Sequence, residues 1–288
     1  TGRPLAGVEL AVVRLGLREC CNLILTAGMR GLFLRNQSRS KKVCEALWQH
    51  SFLTACLCRR LNATFELGYQ GEEFSAGLFH DLGKFRIPLQ ILNKPARLSE
   101  REFAVMQLHS QVGYELLKSW SDLPEDILLG VLHHHERFDG KGYPKQLLAD
   151  EKDPFSRVLT IVDIYDALTS TRPYKKAMPP HVALKAMFAW RNENFHPGLL
   201  ERFVECFGVY PPGSLVRLTD QTHALVLAAR EHRPDRPLVK VAFTKRLTPQ
   251  LPQIVDLASC PAAKEGGLDI EACVDPLEHK LDLEKFAV

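Results

Sequence analysis

The stretch that decides the fold extends from residue 133 to residue 144. It reads His133-His134-His135-Glu136-Arg137-Phe138-Asp139-Gly140-Lys141-Gly142-Tyr143-Pro144. Imidazole and carboxylate side chains together suit iron, manganese, zinc or nickel, whereas a site made only of oxygen ligands would suit magnesium or calcium. Glycine lacks a Cβ atom, so the loop after the histidines can bring its backbone close to a bound ligand. The stretch therefore predicts part of a metal-dependent active site.

Further candidate ligands occur along the chain at nearly regular intervals. The full set consists of His50, His80, Asp81, His109, His134, His135 and Asp163. His80 follows His50 by 30 residues, and His109 follows His80 by 29 residues. His134 follows His109 by 25 residues, and Asp163 follows His135 by 28 residues. Each gap is about one helix plus a connection, so antiparallel helices could return every ligand to one end of a bundle.

Single members of this set also have an ordinary structural explanation. His50 or His109, alone on an apolar helix, would more often be a buried histidine with satisfied hydrogen bonds than a ligand. Asp163 differs because it lies in the apolar run of residues 159–165, where a carboxylate is costly unless it is paired or bound to a metal. We expect His133, beside two stronger candidates, not to be a ligand.

The hydrophobic pattern predicts a largely helical region followed by a short region of strands. Helical spacing, a Ser99–Glu102 capping box and prolines at helix starts define the first region. Its predicted helices cover residues 5–34, 41–62, 72–80, 99–120, 124–134 and 155–170, with two more opened by residues 179–180 and by residue 197. After a turn at residues 210–213, the predicted strands are 214–218, 224–228 and 238–243.

Length and composition limit the class of protein. The 288 residues favour about two units. A net charge of +3 is too small to predict a nucleic acid polymer as partner. No run approaches the roughly 20 apolar residues of a membrane span, so we expect no membrane association. Eight cysteines without a CxxC pair predict reduced thiols in a cytoplasmic protein, although the start at Thr1 could hide a processed leader.

In combination, these motifs resemble the HD-GYP family, a branch of the HD phosphohydrolase superfamily. The matching segments are His80-Asp81-Leu82-Gly83-Lys84, Ile91-Leu92-Asn93-Lys94-Pro95, His109, His134-His135-Glu136, Asp139-Gly140-Lys141-Gly142-Tyr143-Pro144, Asp163, Asp166-Ala167-Leu168-Thr169-Ser170 and Arg172-Pro173-Tyr174-Lys175. The resemblance implies an all-α, HD-type helical bundle with a small β-rich C-terminal extension. It also implies hydrolysis of cyclic di-GMP to linear pGpG, sometimes onward to GMP, while some members prefer cyclic GMP-AMP.

The resemblance further implies two or three metals, often iron. Members with three metals carry a Glu one helical turn before the first His, but that position is Ala46 here, and Glu45 would point about 100° away on the helix. We therefore predict two divalent transition metals, with iron favoured over manganese, nickel or zinc. Asp81 would bridge them, with His50, His80 and Asp163 on one metal and His109, His134 and His135 on the other.

The same resemblance suggests roles for residues beside the metals. Asp81 and Lys84 would be catalytic, since a helical turn would carry Lys84 to the side of Asp81, where its charge could stabilise the transition state or protonate the leaving oxygen. Arg172 and Lys175 would hold the phosphates. The loop residues Gly142, Tyr143 and Pro144 would shape the substrate pocket. Glu136 and Asp139 are expected to fix the loop rather than to bind metal.

A second resemblance leaves other functions open. Residues 14–17 and 47–51 are similar to the HDOD family, a related module regarded as a signalling scaffold. We therefore predict an HDOD-like segment over residues 1–40, an HD-GYP catalytic domain over 41–208 and a β-rich extension over 209–288. The alternatives to a cyclic di-GMP phosphodiesterase are a catalytically silent module that signals through protein partners, a phosphodiesterase preferring cyclic GMP-AMP, and an enzyme for another nucleotide phosphate.

Overall fold

The computed structural model describes residues 15–35, 41–119, 122–170 and 177–276, together with residues 279 and 281. These residues form two compact units. The helical unit holds the described residues up to 177 and residues 190–196, and the sheet unit holds residues 178–189 and the described residues from 197 onward. The helical bundle followed by a small sheet is confirmed. Residues 178–189 and 197–208 group with the sheet, so the compact units do not divide at residue 209, and the three-part functional division stays a prediction.

The longer helices of the described residues agree with the predicted segments, whereas two four-residue helices, at residues 89–92 and 191–194, were not predicted. In chain order they are α1 (Leu17–Arg35), α2 (Lys41–Phe65), α3 (Glu72–Phe79), α4 (Leu89–Leu92), α5 (Glu100–Lys118), α6 (Glu125–His133), α7 (Pro154–Thr169), α8 (Pro180–Ala189), α9 (Arg191–Asn194) and α10 (Leu199–Phe207). Short 3-10 helices occur at Leu82–Arg86, Ala149–Glu151 and Ala263–Glu265. Residues 5–14 of the first predicted helix lie outside the described residues. No helix in the described part of the chain is both long and apolar enough to cross a membrane.

Side-chain caps start two of the helices that carry candidate ligands. The Ser99 hydroxyl accepts from the backbone N–H of Glu102 at 3.3 Å, and the Glu102 carboxylate accepts from the N–H of Ser99 at 2.7 Å. The predicted capping box of α5 is therefore confirmed. At α7, the Asp153 carboxylate accepts from the N–H of Ser156 at 2.7 Å, and Pro154 follows as the first helical residue. Both caps satisfy amide groups that a helix start leaves without partners.

Two glycines let the ligand-bearing elements approach closely. A Cβ atom on Gly77 of α3 would lie 2.7 Å from the Cα atom of Ala55 on α2. A Cβ atom on Gly83 would lie 1.8 Å from the carbonyl oxygen of His109 on α5. Real Cβ atoms do not come so close to backbone atoms, so only glycine permits these two contacts. They bring α3 against α2, and the 3-10 helix after α3 against α5, close to the positions of His50, His80 and His109.

The sheet unit contains a five-stranded antiparallel sheet with the order β4-β3-β2-β1-β5. Its strands are β1 (Leu215–Leu218), β2 (His223–Ala228), β3 (Leu238–Phe243), β4 (Pro249–Asp256) and β5 (Ile270–Cys273). Alternate residues of the central strands pack on opposite faces, with Val216 and Val226 in one apolar cluster and Leu215 and Leu225 in another. The three predicted strands correspond to β1, β2 and β3, whereas β4 and β5 were not predicted.

Candidate metal centre

The structure brings all seven candidate ligands together inside the helical unit. His50 lies on α2, His109 on α5 and Asp163 on α7, while the other four directly follow α3 or α6. The Nε2 atom of His50 is 2.9 Å from Oδ1 of Asp163 and 3.2 Å from Nε2 of His80. Nε2 of His109 is 3.2 Å from Nε2 of His134. Positions as distant as 50 and 163 therefore share one cluster, as the helix-length spacing predicted.

Three of these histidines are held in the same way. Each places its Nδ1 atom 2.7–2.8 Å from the carbonyl oxygen of the residue three positions earlier. The pairs are His80 with Gly77, His109 with Met106, and His134 with Val131. Because a carbonyl only accepts, Nδ1 carries the proton and Nε2 directs a lone pair into the cluster. The lone pairs of His109 and His134 face each other at 3.2 Å and repel unless a cation or a proton lies between them.

Asp81 lies between two groups of donors. Its Oδ2 atom is 3.5 Å from Nε2 of both His50 and His80, and its Oδ1 atom is 3.6 Å from Nε2 of His109. The Oδ1 atom is buried and has no hydrogen-bond partner. Its two oxygens thus face different sets of imidazoles, which is the arrangement expected of a bridging carboxylate.

The donor set fits divalent transition metals. Three groups of donor atoms, each within 4.8 Å of one another, overlap in the cluster. They are His50, His80 and Asp81; His80, His134 and Asp163; and His109, His134 and His135. Neutral imidazole and ionised carboxylate are the ligands that iron, manganese, nickel and zinc accept. The first and third groups agree with the two predicted shells, and the second joins them.

The electrostatics favour the protonation states that bind metal. Burial opposes ionisation, but Lys84 and nearby imidazoles hold the pKa of Asp81 well below its usual range, and hydrogen bonds from His50 and His80 do the same for Asp163. Burial, assisted by the charge of Lys84, lowers the pKa of His109 to about 4. Burial and neighbouring histidines also lower the pKa of His134. Both carboxylates are therefore ionised and these imidazoles neutral at pH 7.

His50 is the exception among the histidines. Burial alone would lower its pKa, but hydrogen bonds to Asp163 and Asp166 outweigh burial and raise the pKa to about 9. Its Nδ1 atom contacts a carboxylate oxygen of Asp166 directly. A carboxylate behind a ligating imidazole fixes the ring and increases its basicity. Asp166 therefore orients His50, a role that was not predicted although Asp166 lies three residues after Asp163 on the same helix face.

Lys84 lies where the predicted turn would carry it. The 3-10 helix Leu82–Arg86 brings its Nζ atom to 2.6 Å from Oδ2 of Asp81, and its side chain is 13% exposed. The ammonium group is thus both paired with the candidate bridging carboxylate and part of the wall of the adjoining cavity. A cation in this position can meet an anionic substrate at the edge of the cluster.

Buried polar contacts fix the glycine-rich loop against the cluster. The fully buried Glu136 carboxylate accepts backbone N–H groups of Lys145, Gln146 and Leu147 at 2.6–3.1 Å. The predicted loop-fixing role of Glu136 agrees with these contacts. Asp139 similarly accepts from the Arg137 side chain at 2.7–3.0 Å and from the N–H of Lys141 at 3.1 Å.

Within the loop, Gly142 and Tyr143 have different tasks. A Cβ atom on Gly142 would lie 2.4 Å from the backbone nitrogen of Arg137 and 2.6 Å from the carbonyl oxygen of His135. The Tyr143 ring stacks on the His135 ring with 4.7 Å between centroids, and the peptide bond to Pro144 is cis. Tyr143 lines the cavity, whereas Gly142 and Pro144 are not among the lining residues. Gly142 therefore contributes to the site because its lack of a side chain lets the loop pack closely on the backbone of His135 and Arg137.

A cavity of about 740 Å³ opens beside the cluster in the helical unit. Its wall includes His50, His109 and His135 at one end, and apolar side chains such as Trp48 and Leu98 elsewhere. Ala46, Asn93 and Lys94 also line it, and no role had been predicted for the last two. Arg172 and Lys175, the predicted phosphate-binding residues, lie outside the described residues. The cavity combines an apolar wall with a few polar groups, which is typical of a small-molecule site.

Comparison with known proteins now identifies the class of protein. The sequence profile of the HD domain family matches residues 30–199. The chain belongs to this family of metal-dependent phosphohydrolases, and its motifs place it in the HD-GYP branch. These comparisons do not confirm the HDOD-like segment predicted over residues 1–40, of which residues 1–14 and 36–40 lie outside the described part of the chain.

Three curated relatives illustrate the likeness. The chain is 37% identical over 222 residues to a protein of Pseudomonas aeruginosa named as a cyclic di-GMP phosphodiesterase. This match covers 76% of this chain and 53% of that protein. It is 40% identical over 183 residues to RpfG of Xanthomonas campestris, named as a cyclic di-GMP phosphodiesterase response regulator (60% and 48% covered). It is 33% identical over 159 residues to 3'3'-cGAMP-specific phosphodiesterase 2 of Vibrio cholerae (54% and 30% covered). The chain spans about half the length of the first two relatives and 30% of the length of the third.

Proposed function

We propose that the chain is a metal-dependent phosphodiesterase that hydrolyses cyclic di-GMP to linear pGpG, with GMP as a further product. One observation carries the proposal: seven histidine and aspartate side chains converge on one buried cluster beside a cavity of about 740 Å³. The names of the Pseudomonas and Xanthomonas relatives support this choice of substrate. The eight cysteines form no disulfide in the described part of the chain, which supports a cytoplasmic location. Protein partners in signalling are part of the same proposal.

Two divalent transition metals, with iron favoured, would occupy the cluster. His50, His80 and Asp163 would hold one, His109, His134 and His135 the other, and Asp81 both. When bound, such a pair supplies Lewis acidity and lowers the pKa of a coordinated water. Ala46 lines the cavity four residues before His50, so it lies one helical turn from this ligand and offers no oxygen for a third metal.

The chain's own residues would bind and orient the substrate. Lys84 would stabilise negative charge on the phosphate and supply a proton to the leaving oxygen, and Asp81 holds it in place through the 2.6 Å contact. The apolar cavity wall would receive the bases and exclude water, with the Tyr143 ring as a stacking surface beside His135. Arg172 and Lys175 are proposed to hold the phosphates.

A product assay on anaerobically purified protein tests the proposal. Protein loaded with Fe(II) or Mn(II) should convert cyclic di-GMP to pGpG, with metal content measured on the same sample. Cyclic GMP-AMP and a dNTP should be compared in parallel, since the Vibrio relative is named for the former. Faster turnover of cyclic GMP-AMP would replace the substrate assignment. A metal-loaded protein that turns over none of these substrates would overturn the enzyme proposal and favour a silent binding module.

The number of metals has a separate test at position 46. Ala46→Glu places a carboxylate where a third metal would need one, whereas Ala46→Gln offers similar size without the charge. We expect two metals per chain in the natural protein and an increase only in Ala46→Glu. Three metals per chain in the natural protein would overturn the two-metal proposal.

A further inference from the structure

A buried lysine behind the histidine pair takes no part in the proposed reaction. Lys152 is 5% exposed and lies just before the start of α7. Its Nζ atom donates to the backbone carbonyl of Glu136 at 2.8 Å and also contacts the Thr160 hydroxyl oxygen. A buried ammonium group is costly even when it is hydrogen-bonded, and an apolar side chain of similar length would fill the same volume. The two acceptors, the Glu136 carbonyl and the Thr160 hydroxyl, indicate which part of the structure the ammonium group stabilises.

The Thr160 hydroxyl extends this contact to the next carbonyl. Its oxygen lies 2.6 Å from the carbonyl oxygen of His134 and 2.8 Å from that of Ser156. Since Lys152 donates to this oxygen, the single hydroxyl hydrogen is free to donate to the nearer carbonyl, that of His134. Lys152 and Thr160 thus hold the carbonyls on both sides of His135.

The carbonyl of His135 itself is also held. It accepts from the backbone N–H of Tyr143 at 3.2 Å. Three successive carbonyls after the end of α6 therefore have named donors: Thr160 for His134, Tyr143 for His135 and Lys152 for Glu136. A helix C-terminus leaves carbonyls without helical partners, so donors from elsewhere in the chain must satisfy them. These contacts fix the backbone that carries two adjacent candidate ligands.

We propose that Lys152 is a positioning residue that, with Thr160, fixes His134 and His135 for metal binding. This inference rests on the proposed function in taking those two histidines as ligands. Lys152 makes no contact with the donor atoms themselves; it acts on the backbone behind them. Loss of the ammonium group should release the segment of residues 134–136 and the loop that packs on it.

The contact does not depend on the charge of Lys152. Burial lowers the pKa of Lys152 to about 7, against the attraction of Asp153 and Glu136. A neutral amine still has two N–H bonds, which is the number needed for the Glu136 carbonyl and the Thr160 hydroxyl. We therefore expect the segment to be held on either side of neutral pH.

Two variants and one matched control test the inference. Lys152→Met keeps a long unbranched stem without the donor, and Thr160→Val keeps the branched shape without the hydroxyl. Lys145→Met is the control, because Lys145 is an exposed lysine of the neighbouring loop and its backbone N–H to Glu136 is retained. The measurements are Mn(II) affinity and amide hydrogen exchange of residues 143 and 145–147 in chelator-treated protein, with the melting temperature as a check on folding.

We expect Lys152→Met and Thr160→Val each to weaken binding of one Mn(II) by about 10–100-fold, the range for residues behind metal ligands. The amides of residues 143 and 145–147 should exchange faster in both variants, and Lys145→Met should match the natural protein. The double variant should lose less than the two single losses combined, because both belong to one hydrogen-bonded chain. If Lys152→Met does not fold, Thr160→Val alone decides the matter by the same two measurements.

The outcomes separate this inference from the proposed function. Natural-like Mn(II) affinity and exchange in folded Lys152→Met or Thr160→Val would overturn the positioning role, whatever the natural protein hydrolyses. Weakened binding and faster exchange, together with no turnover by the natural protein, would uphold the role and overturn the phosphodiesterase proposal. Equal losses in Lys145→Met would show a general effect of the loop and would also overturn the positioning role.

Discussion

The two units bury charge in opposite ways. In the sheet unit, Arg236 is 6% exposed and its guanidinium group is surrounded by acceptors from the same unit. These are the carbonyl oxygens of Leu257, Cys260, Pro261 and Leu268 at 2.7–3.1 Å, and the carboxylate of Asp269. The N–H donors of Arg236 are thus matched by acceptors within the protein, and this buried charge links several loops without needing an external ligand.

In the helical unit, acceptors face acceptors. The imidazoles of His109 and His134 direct their Nε2 atoms at each other, and the buried Oδ1 atom of Asp81 has no partner. Such an arrangement is costly until a cation enters it. The comparison separates structural from functional buried charge by asking whether the protein itself supplies the matching partner. Substitutions in each unit should therefore have different consequences, and four of them test this distinction.

The largest effect is expected at the unpartnered carboxylate. Asp81→Asn keeps the shape but removes the charge that faces both sets of imidazoles. We expect cyclic di-GMP turnover to fall by roughly 10³-fold or more, with loss of bound metal, since the variant removes a group on which the whole centre depends. Metal analysis and product formation measure both effects on one sample. The control is Asp126→Asn, because Asp126 is an exposed carboxylate early in α6, and it should change neither metal content nor activity. Retention of metal and activity in Asp81→Asn would remove the basis of the comparison.

A smaller loss of activity is expected when the loop, rather than a ligand, is disturbed. Gly142→Ala would place a Cβ atom 2.4 Å from the nitrogen of Arg137, so the loop must move away from His135. A displacement of about 1 Å can cost on the order of 10²-fold in rate, and we expect kcat to fall by about that factor. Gly28→Ala on α1 is the control, because no described atom apart from the adjoining backbone of its own helix lies within 4 Å of the added group. It should leave kcat unchanged and stabilise the helix by up to about 1 kcal/mol; equal kcat values for the two variants would contradict the role of Gly142.

Much of this contrast was accessible from the sequence, because it depends on local patterns. Apolar periodicity predicted the helices, and a carboxylate in the apolar run around Asp163 had no inexpensive structural explanation. Ligand gaps near one helix length predicted that distant residues would meet. The contribution of Asp166 was missed, although its three-residue distance from Asp163 was a usable signal.

Other features depend on contacts that a local pattern does not contain. The need for glycine at positions 83 and 142 arises from backbone atoms of His109 and Arg137 across the fold. Strand β5 pairs with β1, more than fifty residues earlier, and a four-residue segment alone does not predict that partner. Strand β4 contains two prolines, which argue against a central strand but are compatible with its position at the sheet edge.

The satisfied charge in the sheet unit should affect stability rather than activity. Arg236→Met removes every hydrogen bond to Leu257, Cys260, Pro261, Leu268 and Asp269 while keeping an apolar stem. We expect a loss of about 2–3 kcal/mol in the free energy of unfolding, because buried acceptors lose their partner. Denaturant unfolding measures it, and kcat per folded molecule should be unchanged. Arg246→Met, an exposed arginine of the same unit, is the control; a stable Arg236→Met would mean that matched buried charge contributes little here.

The smallest effect is expected where a matched charge pair is only partly buried. The hydrogen bond from Lys94, joined by those from Ser99, lowers the pKa of Glu102 to about 2, below the value near 4.3 of an unfolded chain. A lowered folded pKa means that Glu102 stabilises the protein above about pH 4.3 and that this stabilisation is lost as the pH falls toward 2. The difference in melting temperature between the natural protein and Glu102→Gln should therefore be small at pH 7 and vanish toward pH 2. A difference for Glu102→Gln that grows on acidification would have the opposite sign and would refute the assignment.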